Sequence, residues 1–382
     1  MLTRRDFLAT STAAALPRAS VTRQRQPNFI IFLTDDHGCH DLGCLGSNSL
    51  KPPHIDSLAT SVPNARGFDR FYGFHSGCFN YFSHRYYWGE PKTVNYHDLW
   101  SNRTEVFEDG QYATELFARE AVEFVRQNHQ RPFFLYVPFN GLHGPMHAPK
   151  RYVDRFPDLL PERRMYAAML AAVDHAVGDV LKTLNEDNLA QDTSVMFTGD
   201  NGATREKRAG LNQQIPEAGH NGILRGYKFS AFDGGIHPPM IMRWPGVIPP
   251  GQIVDQLGCH IHLLPTICKA AGVAIPTDRI IDGRDALPMA AANAKSPHEA
   301  IYWASNNQLA VRKGNWKLVK DGIDFDGTPQ GSKPLNGDDA LFLSNLQNDP
   351  GESRNLRHEH AALADELETQ ASKWLEDVSR NR

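Results

Sequence analysis

The residues best suited to chemistry sit where apolar runs stop. Phe29-Ile30-Ile31-Phe32-Leu33 passes through Thr34 into Asp35-Asp36-His37-Gly38, and Val195-Met196-Phe197-Thr198 runs into Gly199-Asp200-Asn201-Gly202. Apolar runs without alternation suit strands buried on both faces of a parallel sheet. Ligands bind at the carboxyl edge of such sheets. Carboxylates there are costly unless something positive joins them, and a hard cation with oxygen ligands is the simplest partner. A solvated acidic loop explains Asp35-Asp36 equally well when that stretch is taken alone. The second ending, at Asp200-Asn201, favours one shared cation site over two unrelated loops. A third run, Pro132-Phe133-Phe134-Leu135-Tyr136-Val137, reads as another buried strand and leads to His143, a candidate acid/base group or anion ligand at the same edge. Lys228 has the charge to neutralise an anionic substrate oxygen. Taken singly, Lys228 and His220 read as surface residues. His37, His40, Cys39 and Cys44 lie close together, but their spacing fits no common zinc pattern.

These residues need elements to position them. Helical spacing of apolar residues predicts helices over 112–128, 166–184 and 252–272, the last broken near Pro265. Alternation of these helices with the apolar runs predicts an α/β fold with a mainly parallel sheet. Met240–Trp244 reads as a further strand. The Pro- and Ala-rich stretch 285–297 is the expected domain boundary. Beyond it, Ala300–Trp303, Leu309–Arg312, Trp316–Val319 and Leu341–Leu343 predict short strands, with a hairpin through Lys313-Gly314. A terminal helix carries Leu363, Leu367, Ala371, Trp374 and Val378 on one face. Residues 62–110 are rich in aromatics, which suits packing of a long loop, with stacking on a sugar or aryl substrate as the alternative.

The 382 residues carry a net charge of −4, with 41% hydrophobic and 22% charged residues, so composition argues for neither nucleic acid nor an anionic membrane surface as partner. No stretch is apolar enough to span a bilayer. The five cysteines are scattered and suggest no disulfide framework. At the start, Thr3-Arg4-Arg5-Asp6-Phe7-Leu8 followed by an Ala-rich run resembles a twin-arginine export signal, which implies the export machinery as a partner and a periplasmic or otherwise exported protein. The resulting division is 1–26 as signal, 27–295 as the α/β domain and 296–382 as a C-terminal α+β subdomain.

Taken in order, several blocks resemble the type I sulfatases of the alkaline-phosphatase-like superfamily. They are Pro27 to Asp36, Asp41-Leu42-Gly43-Cys44, Arg66-Gly67-Phe68-Asp69, the Pro132-to-Pro149 block with His143-Gly144-Pro145, and Thr198 to Gly202. Lys228 through Asp233-Gly234-Gly235-Ile236, Arg243-Trp244-Pro245-Gly246, Leu264-Pro265-Thr266 and the tail Leu346 to Leu356 continue the series. The resemblance implies an α/β/α sandwich with a smaller C-terminal antiparallel sheet and helix. It implies hydrolysis of aryl or carbohydrate sulfates with one divalent cation, usually Ca2+. Asp35, Asp36, Asp200 and Asn201 would be its ligands, and His143 and Lys228 would contact the sulfate and the bridging oxygen.

One departure qualifies this. The family's formylglycine nucleophile comes from a Cys/Ser-x-Pro-x-Arg motif, and no such motif occurs in the chain. The family's Gly-Lys-Trp-His block is also absent. Both belong between Leu58 and Arg66, where only Ala59 to Ala65 intervene. Ser61, in Ser61-Val62-Pro63-Asn64-Ala65-Arg66, has its Arg one residue too late; Cys78 has neither Pro nor Arg after it. Neither satisfies the motif. The expectation is weak or no turnover, with exposed apolar surface beside the first strand. A calcium-dependent binder of sulfated glycans and a phosphate or phosphonate ester hydrolase are the alternative functions.

Overall fold

The computed structural model describes residues 26–35, 63–86, 95–206, 211, 218–305, 307–324 and 333–380. The signal segment up to residue 25, Asp36, His37, His40, Cys39, Cys44 and Ser61 lie outside the described residues. The first apolar run is strand β1, Asn28–Thr34, buried along almost its whole length. It lies between two parallel neighbours, β2 (Phe134–Pro138) and β3 (Thr193–Gly199). Strand β4 (Met240–Arg243) joins β3 antiparallel and completes the order β2-β1-β3-β4. The sheet is therefore mixed but mainly parallel.

Position in the sheet decides how each run is buried. β1 and β3 are central and continuously covered. Among the described residues β2 is an edge strand, so the expectation of a fully buried run fails there: Phe134 and Tyr136 are 41% and 37% exposed, while Val137 is buried. Helix α1 (Ala113–Asn128) and helix α2 (Pro161–Glu186) cover one face, where Leu116, Val125, Met169, Val173 and Val180 pack with Ile30, Phe32 and Val195. Helix α2 starts a full turn before the apolar periodicity does, because Pro161 occupies its first position, where no N–H is needed. The expected helix over 252–272 is shorter than its apolar pattern. A single turn at His260–His262 leads into α3, Leu263–Ala271, in which Pro265 sits in the first turn and breaks nothing. Gly272, at φ +68°, closes it in the left-handed conformation.

The C-terminal strands β5 (Ala300–Ser305), β6 (Gln308–Lys313), β7 (Trp316–Lys320) and β8 (Leu341–Asn345) form an antiparallel sheet in the order β8-β7-β6-β5. Trp316 pairs with Lys313 across the Gly314-Asn315 turn, as the hairpin signal predicted. One face of this sheet carries Leu309, Val311, Leu318 and Leu343 and packs against helix α4 (Ala361–Arg380) through Ala364, Leu367 and Ala371. The other presents Ala310, Val319 and Phe342 to Ala231 and Phe232, at the end of the Lys228 loop. Alternation along each strand thus lets one thin sheet bind its own helix and brace the loop of the larger sheet. Among the described residues no helix is long and apolar enough to cross a membrane.

Candidate active site

The parallel register brings the two acidic endings together. Thr34 pairs with Gly199, so Asp35 and Asp200 each follow the last paired residue of adjacent strands. The Asp200 N–H donates to the Thr34 carbonyl (3.2 Å), and the Thr34 hydroxyl to the Thr198 carbonyl (3.1 Å). On the other side, the Asp35 N–H donates to Gly141 and the Leu142 N–H to Asp35, both at 3.2 Å. These bonds carry strand-like pairing past β2 and set the loop that bears His143 beside Asp35.

Asp200 is half-buried by surface, yet its carboxyl is enclosed enough that its pKa stands well above the ordinary carboxylate value. Burial is the first cause, the charge of Asp35 the second, and Lys228 opposes both. Asn201 ties in from two sides, its backbone N–H and side-chain amide donating to the Asp200 carboxylate at 2.8 and 2.7 Å. Two carboxylates raising each other's cost, with an amide oxygen next in sequence, make a hard oxygen donor set that fits a divalent cation.

Gly202 explains how this loop docks. A Cβ on Gly202 would stand 1.8 Å from the Gly234 carbonyl oxygen, and the Gly202 N–H donates to the Gly235 carbonyl at 3.1 Å. The Asp200-Asn201-Gly202 and Asp233-Gly234-Gly235 blocks therefore meet backbone to backbone, a contact only glycine permits. Lys228 lies in the same loop system, almost fully buried, with its backbone N–H on the Ala203 carbonyl (2.8 Å) and its ammonium 2.8 Å from Glu206. It is not a surface lysine. Phe229, next to it, holds φ at +73°, a costly conformation for a bulky side chain. Gln308 of β6 stabilises this turn. Its amide donates to the Phe229 carbonyl (2.5 Å), and its side-chain oxygen accepts from the N–H groups of Ala231 and Ile323, both at 2.9 Å.

His143 is buried, 4% exposed. Its Nδ1 hydrogen-bonds the Gly144 carbonyl, which places the proton on Nδ1. The wholly buried Tyr81 supports the loop from below, its hydroxyl shared between the carbonyls of Asn140 and His143 (2.9 Å to the latter). Much of the aromatic stretch therefore packs as a loop over the core: Phe74 stacks on Phe79, and Tyr81 on Tyr112. Cys78 is also buried, and His220 is exposed.

Three residues at this edge escape a reading of motifs. Asn140 is 7% exposed, and neither polar atom of its side chain has a hydrogen-bond partner among the described residues. Its place at the end of the β2 run was the available signal. Although Tyr136 is partly exposed, its phenol is enclosed at the sheet edge and is pushed up to about 12, by burial first and then by the charges of Asp200 and Asp35. His260 meets the Thr198 hydroxyl at 2.9 Å, and nothing in the local sequence announces that contact.

Residues 59–273 match the sequence model of the Sulfatase family. Steryl-sulfatase of Rattus norvegicus is 35% identical over 231 residues, covering 57% of this chain and 38% of that protein. N-acetylgalactosamine-6-sulfatase of Canis lupus familiaris is 30% identical over 293 residues, covering 71% of this chain and 53% of that protein. The chain thus spans about half, or less, of the length of these relatives. Among solved structures, Ps i-CgsB in complex with k-i-k-neocarrahexaose is similar with a TM-score of 0.75 at 23% identity, over 92% of this chain and 93% of that one. The PsFucS1 sulfatase from Pseudoalteromonas sp. is similar with a TM-score of 0.76 at 19% identity, over 94% and 90%. The shared architecture is the alkaline-phosphatase-like fold of these sulfatases, and the chain belongs to the sulfatase family.

Proposed function

We propose that the carboxyl edge of the parallel sheet is a cation-dependent site for sulfate esters of carbohydrates or aryl compounds. The observation that carries this reading is the pairing of Asp35 and Asp200 at the ends of adjacent strands, each raising the cost of the other's charge. Asp35, Asp36, Asp200 and Asn201 would hold one Ca2+, which when bound supplies positive charge to polarise the sulfate. Lys228 supplies a second positive charge at the loop facing the pair, where charge develops on the sulfate and leaving oxygens. His143 donates its Nδ1 proton to Gly144, so its Nε2 would donate to the bridging oxygen in the doubly protonated imidazolium form.

The absence of a Cys/Ser-x-Pro-x-Arg motif bears directly on turnover. Neither Ser61 nor Cys78 has the flanking residues for conversion to formylglycine. This form therefore binds sulfate esters and turns them over weakly or not at all, which favours calcium-dependent binding of sulfated glycans as a second reading. The pattern around Arg4-Arg5 supports export to the periplasm, with residues 27–295 carrying the site and 296–382 bracing it.

The test is an aryl-sulfate assay with calcium after co-expression with a formylglycine-generating enzyme, beside retention on a sulfated polysaccharide column. Calcium-dependent retention that is lost in Asp35→Ala with Asp200→Ala, together with negligible turnover, is the expected result. Brisk turnover that persists in Cys78→Ala with Ser61→Ala would refute the claim about the nucleophile. Absence of retention would refute the binding site.

A further inference from the structure

Away from the sheet edge, two loops bring together His84, His97 and Asp109, with one ligand atom of each within 4.8 Å of the others. His84 is wholly buried and His97 is 8% exposed. The hydrogen bonds of both rings set their tautomers. Nε2 of His84 meets the Gln111 carbonyl at 3.0 Å, and a carbonyl only accepts, so Nε2 carries the proton and Nδ1 keeps its lone pair. Nδ1 of His97 meets the Glu105 carboxylate at 2.9 Å, so Nδ1 carries the proton and Nε2 keeps its lone pair. Those two lone-pair nitrogens, His84 Nδ1 and His97 Nε2, have no hydrogen-bond partner among the described residues. Asp109 Oδ2 stands 3.7 Å from His97 Nε2, too far for a hydrogen bond. Adjacent ligands of a tetrahedral ion with bonds of about 2.1 Å lie roughly 3.4 Å apart, so the His97–Asp109 pair is near that spacing and the three atoms, within 4.8 Å, would close in around a bound ion.

The surroundings hold the rings in place. His84 stacks on Phe79 (5.4 Å between centroids) and His97 on Phe107 (4.3 Å). The carboxylate behind His97 and the carbonyl behind His84 are the outer partners that metal-bound imidazoles characteristically have.

We infer that His84, His97 and Asp109 form a second metal site, separate from the oxygen-rich sheet edge and suited to a zinc-type divalent ion, with water completing a tetrahedron. Two imidazole nitrogens select such an ion over calcium, which takes oxygen ligands. The site's role is structural. It ties the 95–111 segment to the loop whose Tyr81 supports the carbonyls of Asn140 and His143.

The probe is Zn2+ itself. The full chain, without a polyhistidine tag, is equilibrated with slight excess zinc in millimolar calcium, desalted, and assayed by elemental analysis and thermal melting. One equivalent of zinc and a higher melting temperature are expected for the wild type. Zinc affinity should fall at least tenfold in His97→Gln and in Asp109→Asn. The Asp109 side chain is about half exposed, so its variant should fold even if His97→Gln does not. Failure of the folded wild type to retain zinc, or retention by Asp109→Asn equal to that of the wild type, would overturn the inference. Because calcium is saturating throughout, the outcome does not depend on the sulfate-ester reading.

Discussion

Two clusters of enclosed carboxylates lie close together, joined by the contact between Gly202 and Gly234, and they are neutralised in opposite ways. At the junction with the C-terminal sheet, Lys317 is wholly buried and reaches both Asp233 (2.5 Å) and Glu352 (3.1 Å). The Glu352 carboxylate also accepts the Asp233 N–H at 2.6 Å, and His237 lies 3.2 Å from Asp233. Burial would raise Asp233, but attraction to Lys317 and the hydrogen bond from His237 outweigh it and hold the carboxyl well below its ordinary range. At the sheet edge, burial and Asp35 push Asp200 up, and Lys228 only moderates the effect while also pairing with Glu206. In the first cluster one lysine bridges both acids, and burial, with the charge of Asp233 adding to it, still pushes Glu352 up despite Lys317. The second has carboxylates in excess of the positive charge that faces them. The difference is where the lysine sits: Lys317 reaches both acids of its cluster, whereas the Lys228 ammonium pairs with Glu206, 2.8 Å away.

Removing charge separates the two cases. Lys317→Met strands two buried carboxylates and should destabilise the protein by about 3–5 kcal/mol, visible as a large loss in denaturant midpoint. A change within a few tenths of wild type would show that the triad is not what joins the two parts. Gln308→Ala leaves the N–H groups of Ala231 and Ile323 without their partner and should cost about 1–3 kcal/mol. It should also weaken retention on sulfated polysaccharide, because the turn carrying Lys228 is released. Unchanged retention would mean that the C-terminal sheet does not position that lysine.

Asp200→Asn should have the reverse sign. In calcium-free buffer it removes a carboxylate that burial and Asp35 disfavour, so the variant should be more stable than wild type by on the order of 1 kcal/mol. The pH dependence follows. A carboxyl raised in the folded state keeps a proton that the unfolded chain has lost, so stability falls as pH rises above the ordinary carboxylate range. Without calcium, that decline should be shallower in Asp200→Asn. Asp233, lowered in the fold, stabilises above the unfolded carboxylate value and loses that contribution as the solution is acidified. Parallel pH profiles for wild type and Asp200→Asn would contradict the assignment.

What the sequence made legible follows the physics of each contact. Apolar runs ending in acids located β1, β3 and two acids of the proposed site, because strand burial is written in consecutive residues. The edge position of β2 was not written there, since Phe134 and Tyr136 look as apolar as Phe29 and Ile31. The length of α2 was obscured by the polar residues of its first turn. Lys228 read as a surface lysine when taken singly, because its burial comes from a loop folded under Gln308, 80 residues later. The Asp233–Lys317–Glu352 triad and the His84–His97–Asp109 cluster escaped motif reading because they are assembled from separated segments. Asp36 and Ser61 lie outside the described residues, so the structure bears only on Asp35, Asp200 and Asn201 of the proposed ligands.

The most direct test is a calorimetric titration of Ca2+ into the metal-free full chain, with Asp35→Asn plus Asp200→Asn as the comparison. The account predicts one equivalent bound by wild type and none by the double variant. It also predicts a stabilisation of wild type of about 2.7 kcal/mol when calcium reaches a hundred times its Kd. A wild type that binds no calcium, or a double variant that binds it equally well, would contradict the claim that the sheet edge is a cation site.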